Sequence, residues 1–282
     1  MARAAPFPAL PQLERPRLEL SGPKLARAFE RLVSGCEEHG GVERYVEALK
    51  LKTQLFRDAL DGTRRELTLQ ALRTLCAFMP TVRRRIGPYL AEHEFGILRA
   101  RLGVLLEERD DTATTDARVA DFCGGFPADR VHRWVRDLAA EILHNRDPER
   151  YPLMCRWVWD AGTNTGVLRE IWHAADVDHT AIEVPDRYGT FVVLREELAQ
   201  YLASNGVFRD VLYYVDLLCA QIYAGYISEQ GGSYLRTDFS TPEDPVVHVQ
   251  RLLGLDALDN RGRSRVKAAD GEAIVTEPAR LN

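Results

Sequence analysis

Residues 21–41, SGPKLARAFERLVSGCEEHGG, decide the fold class. Leu25, Ala28, Phe29, Leu32, Val33 and Cys36 recur at helical spacing, Pro23 sits near the first turn where its missing N–H is harmless, and Gly40-Gly41 ends the run. An amphipathic stripe of this kind needs a second one to cover it. Two follow at once: Val42, Tyr45, Val46, Leu49, Phe56 and Leu60 before Gly62, then Leu72, Leu75, Cys76 and Met79 before Pro80. Together they predict an N-terminal antiparallel helical bundle with short connections.

The helical pattern continues from Thr81 to Glu108, broken at Gly87-Pro88, and stops at the polar stretch RDDTATTD, residues 109–116. That stretch predicts a boundary, with the bundle over 21–110 and a second, mainly helical region over 117–256. In the second region a short helix fills 116–123, Pro127 opens another carrying Val131, Trp134, Val135, Leu138 and Ile142, and further helices are expected at 150–159 and 167–174. Thr180–Val184 and Thr190–Leu194 are rich in β-branched residues and flank Pro185-Asp186-Arg187-Tyr188-Gly189, so one small β-hairpin is expected near 180–194. Helix then resumes near Glu196 and, after Asn205-Gly206, runs over 207–229 with apolar residues on nearly every side, which places that helix at the centre of its domain. Proline-rich residues 1–20 read as a flexible arm and residues 257–282, with Arg261, Arg263, Arg265 and Lys267 and no helical apolar stripe, as a flexible tail. The fold class is therefore mainly α, a helical bundle followed by a second helical region with one hairpin.

Composition narrows the function classes. The 282 residues are 45% apolar, enough for a sizeable core, and no apolar run approaches the roughly 20 residues that cross a bilayer. No signal-peptide pattern opens the chain, which predicts a cytoplasmic protein with no membrane contact. Five scattered cysteines without a Cys-x-x-Cys pair argue against a disulfide framework or zinc ribbon. The cations are 33 arginines against four lysines, a bias that fits a bacterial-type GC-rich codon composition, and a net charge of −5 gives no bulk attraction for nucleic acid.

The strongest compositional outlier is 151–173, YPLMCRWVWDAGTNTGVLREIWH, with three of the four tryptophans. Placed on a helix, Trp157 and Trp159 face different ways, so one ring is left for a partner or ligand, and Arg156, Asp160, Arg169 and Trp172 complete a candidate binding surface. The structural alternative packs both rings between helices and uses Asp160 to cap a turn. His173, Asp176, Asp178 and His179 form the most metal-like patch, though their spacing matches no strong motif. Arg83, Arg84 and Arg85 are the best basic cluster and the one argument for nucleic acid, but consecutive residues spread around a helix rather than lining one face. No nucleophile or cofactor signature is present. The leading expectation is thus a non-catalytic accessory or interaction protein that binds another protein through the Arg/Trp surface at 150–173. Its rival is an enzyme or small-ligand-binding protein with a pocket between the two helical halves, and a third reading is a nucleic-acid-binding protein using 83–85.

Overall fold

A computed structural model describes residues 15–61, 67–107, 110–174, 180–234, 245–258 and 266. Ten α-helices are present among them: α1 (Gly22–Glu37), α2 (Val42–Leu60), α3 (Leu69–Ala77), α4 (Glu92–Leu106), α5 (Thr115–Gly124), α6 (Trp134–Arg146), α7 (Val167–Glu170), α8 (Tyr188–Ser204), α9 (Val211–Tyr234) and α10 (Pro245–Leu252). The protein is mainly α, as its patterning predicts. The stripes that define α1 and α2 bury Leu25, Leu32 and Cys36 on the first and Tyr45, Val46, Leu49, Phe56 and Leu60 on the second.

At the centre lies α9. Val215, Leu217, Leu218, Cys219, Ala220, Ile222 and Ala224 are buried around its circumference, and α1, α2, α7, α8 and α10 all pack against it. An all-round apolar helix has no solvent face to offer, so it becomes the axle on which the others lie. Packing partners cross the polar stretch at 109–116: α1 contacts α9, α2 contacts α6, and buried side chains on both sides of residue 110 belong to one apolar cluster. None of the described helices is long and apolar enough to cross a membrane.

The expected hairpin is absent, and no strand occurs among the described residues. Residues 188–204 form α8, with Phe191, Val192, Val193 and Leu194 buried in the core. The turn-like Pro185–Gly189 sequence is instead a helix start: the Tyr188 N–H donates to Asp116 Oδ1 at 2.9 Å and the Thr190 hydroxyl to the Pro185 carbonyl at 2.6 Å. Burial of the β-branched side chains outweighs their modest preference for strands, a difference of tenths of a kcal/mol per residue. The preceding segment, 180–187, is extended, and Asn164 stands in for a pairing strand by donating to the Thr180 carbonyl and accepting from the Ile182 N–H.

No helix forms over 150–159 either. Two prolines, Pro148 and Pro152, disfavour helical backbone there, and the chain's polar groups are met from outside. The Arg156 N–H donates to Asp137 Oδ1, and the carbonyls of Trp157 and Val158 accept from Val167 and Leu168 at the start of α7. That approach requires Gly166, which has φ of 120°; a Cβ there would lie 2.8 Å from the Val158 oxygen. The α7 helix ends at Glu170 rather than 174 because the residues after it exchange backbone bonds with the chain ahead of α1: the Ser21 N–H donates to the Ile171 carbonyl and the His173 N–H to the Glu19 carbonyl. Part of the expected arm, 15–20, is thereby described, and Arg15 pairs with Glu196. The rest of the arm, 1–14, and nearly all of the expected tail lie outside the described residues, except that Val266 is buried.

Candidate functional site

The tryptophans at 157 and 159 turn inward. Trp159 is fully buried and its indole N–H donates to the Val184 carbonyl at 2.9 Å; Trp157 is 7% exposed and stacks at a tilt on Tyr223, centroids 5.8 Å apart. A buried indole with a satisfied N–H is a core element of large apolar area. Asp160 accepts from Arg133 at 2.7 Å and from the Thr163 N–H, closing the turn that leads to Gly166. Arg156 pairs with Asp137 at 2.8 Å, Arg169 reaches the Asn164 carbonyl, and Trp172 is half-buried against the core. These six side chains therefore point in several directions, with the rings of Trp157 and Trp159 inside.

The remaining sequence candidates divide similarly. Arg83 is 3% exposed and forms a two-pronged pair with Asp256 at 2.9 and 3.0 Å, while Arg84 and Arg85 are exposed. His173 is exposed; Asp176, Asp178 and His179 lie outside the described residues. Among the described residues no group of three His, Cys, Asp or Glu side chains is arranged to hold a metal ion. Burial pushes the thiols of Cys76, Cys155 and Cys219 up, so none of the three is a ready thiolate nucleophile.

Two polar assemblies escape a reading of the sequence by local motif. The first is one face of α6, where Asp137, Glu141, His144 and Asn145 are all buried. Spacings of four and three put Asp137, Glu141 and His144 one above another on the helix. Each has a partner from another element: Arg156 for Asp137, Lys52 of α2 for Glu141 at 3.0 Å, and Asp216 of α9 for His144 at 2.9 Å. Lys52 also donates to the Leu253 carbonyl, and the Asn145 amide to Glu141. The His144 ring has acceptors at both nitrogens, the Tyr151 carbonyl at Nδ1 and Asp216 at Nε2, a pattern that only the imidazolium satisfies. Burial alone lowers its pKa, yet the Asp216 charge, its hydrogen bond, the Tyr151 carbonyl and Glu141 together raise it above the ordinary histidine value.

The second assembly is a cleft of about 260 Å³ between α1, α7 and α9. Lys24, Arg27 and Arg31, spaced along one stripe of α1, form one wall; Glu170 and Ile171 of the α7 segment and Gln221, Gly225 and Tyr226 of α9 form the other. Beside the paired Asp216, Gln221 is the other buried polar residue on the described part of α9, a carboxamide 3% exposed in an otherwise apolar helix. Its side chain has no hydrogen-bond partner among the described residues, and it opens into the cleft. A second groove of about 520 Å³, lined by Glu43, Glu47, Phe208, Asp210 and Tyr214, lies between α2 and the turn before α9. There Lys50 bridges Glu47 and Asp210, each at 2.9 Å, and Phe208 is 77% exposed.

No family model, no curated protein and no solved structure matches this chain.

Proposed function

We propose that this protein binds a small polar ligand in the cleft where α1 of the N-terminal half meets α7 and α9 of the C-terminal half. The observation that carries the reading is Gln221. Its amide makes no hydrogen bond with the described residues and faces the cleft, while α9 supplies apolar residues at the positions around it. A leucine would match the surrounding side chains and leave the cleft without a hydrogen-bonding group there. Retention of an unpartnered carboxamide facing a concave, mixed polar and apolar cleft is the arrangement expected of a group whose partner arrives with a ligand. At about 260 Å³ the space suits a small metabolite rather than a peptide.

A partner protein seated on 150–173 has less support, because Trp157, Trp159 and Asp160 are committed within the fold. A nucleic-acid role for 83–85 is weakened in the same way by the Arg83–Asp256 pair.

Native mass spectrometry of the purified full-length protein tests the cleft. The expected spectrum contains a bound species of small-molecule mass that disappears in Gln221→Leu while the variant keeps its helical circular dichroism. A ligand that survives in Gln221→Leu, or ligand-free spectra from protein purified gently and then exposed to a metabolite extract, would sink the reading.

A further inference from the structure

We infer that this protein self-associates through the outer face of α4, two copies packing antiparallel about a two-fold axis at Ala100. Like α9, α4 carries apolar residues on opposite faces, but the fold treats the two helices differently. Other helices surround α9, whereas α4 lies at the edge, burying Phe95, Leu98, Leu102 and Leu105 where it meets α5, α6 and residues 87–90. Its opposite face carries Gly96, Ile97, Ala100, Gly103 and Val104. Ile97 and Val104 are 45% and 50% exposed, and among the described residues α4 is the one helix that exposes two large apolar side chains. In a chain of which 28% is charged, no charged residue lies on that strip between His93 at its start and Glu107 just past its end. Both arginines of α4 fold to its sides, Arg99 onto the Phe95 ring at 5.3 Å and Arg101 onto the Phe126 ring at 5.5 Å.

The strip fits a second copy because it is complementary to itself. Its spacing of three and four residues forms one seam, the pattern by which paired helices interlock side chains. In an antiparallel pair centred on Ala100, residues equally far from the centre face each other. Ile97 then meets Gly103 of the second copy and Val104 meets Gly96, each large side chain opposite a glycine. At Gly96 the space is open, since a Cβ added there would have no atom within 4 Å in the single chain. His93 falls opposite Glu107, so unlike groups meet at both ends, where a parallel pair would set like against like. One surface thus supplies both the knobs and the holes, as a two-fold interface requires. A single helix pair is a small interface, which makes the dimer reversible, with a dissociation constant of about 10 µM.

Sedimentation velocity of the full-length protein from about 1 µM to about 200 µM tests the association. A shift from monomer to dimer across that range is expected, and a monomer at the highest concentration overturns the proposal. Ala100→Glu sets two carboxylates together at the axis and should weaken the dimer about tenfold or more, with an unchanged circular dichroism spectrum. Gly96→Leu, which fills the hole facing Val104, should weaken it as well while leaving the monomer folded. On air oxidation Ala100→Cys should give a covalent dimer, because the axis brings that position against itself, whereas Arg84→Cys, exposed elsewhere, should not. A dimer that survives both Ala100→Glu and Gly96→Leu uses another face and overturns the assignment to α4. Loss of the dimer in those variants without cross-linking at position 100 overturns the two-fold register.

Discussion

The buried face of α6 and the cleft beside α9 both place polar side chains in an apolar interior, and they differ in whether those side chains are answered. On α6 every charged group has a partner supplied by a different element: Lys52 from α2, Arg156 from the turn after Pro152, Asp216 from α9. In the cleft Gln221 has none, and Arg27 stands without a carboxylate. Taking a charge out of water costs several kcal/mol, and only close pairing with hydrogen bonds on the remaining atoms offsets it. A network whose charges are all paired therefore reads as architecture, one that fixes how α2, α6 and α9 sit against each other. An unanswered group reads as a site.

Breaking one partner of the answered network should produce the largest effect. Lys52→Met conserves length and apolar stem but leaves Glu141, 2% exposed, with only Asn145 beside it. The expected loss is about 3–5 kcal/mol of unfolding free energy, read by urea denaturation. Reversing the defect in Lys52→Met/Glu141→Gln should recover much of that loss. A single variant within about 0.5 kcal/mol of the parent would mean that the pair is not buried as described.

A smaller effect follows from pH. The folded-state pKa of His144 lies above its unfolded value, so protonation favours the folded protein. Its contribution is fully present below the unfolded histidine value of about 6.5 and is lost as pH rises through the raised folded value. Unfolding free energies measured from pH 6 upward should fall across that window, and His144→Gln should flatten the decline. An equal slope in the variant would assign the pH dependence elsewhere.

Helix identity was legible where one face of a stripe is apolar, as in α1 and α2, whose ends fall at Gly22–Glu37 and Val42–Leu60. Tyr188–Leu194 misled because β-branched residues carry a local preference that burial overrides, and no sequence window contains the core into which α8 packs. The 151–160 segment misled differently. Its hydrogen bonds are closed by Asp137, Val167 and Leu168, residues that are distant or on the far side of a turn, so helical spacing of its apolar residues carried no information about backbone. The site shows the same division. Spacing alone puts Asp137, Glu141 and His144 on one face, but a face of charged residues ordinarily faces water, and only the approach of Lys52 and Asp216 shows otherwise. Gln221 had a legible signal, a lone amide inside the otherwise apolar run 217–224, although the stripe of cations opposite it comes from nearly 200 residues earlier in the chain.

The smallest effect is the most discriminating, because the same kind of substitution should change sign between the two regions. Gln221→Leu, like Lys52→Met, replaces a buried polar side chain by an apolar one of similar size. At Lys52 the change strands a partner; at Gln221 there is no partner to strand, and an amide open to the cleft is replaced by a side chain that matches its neighbours Leu217, Leu218 and Ala224. The ligand-free protein should therefore keep or gain stability, by up to about 1 kcal/mol from the added apolar burial, visible as a melting temperature equal to or slightly above the parent's. Binding groups are commonly held at such a cost to stability. A Gln221→Leu protein less stable than its parent would mean that the carboxamide is answered within the fold after all, and the contrast between α6 and the cleft would no longer mark one as structural and the other as functional.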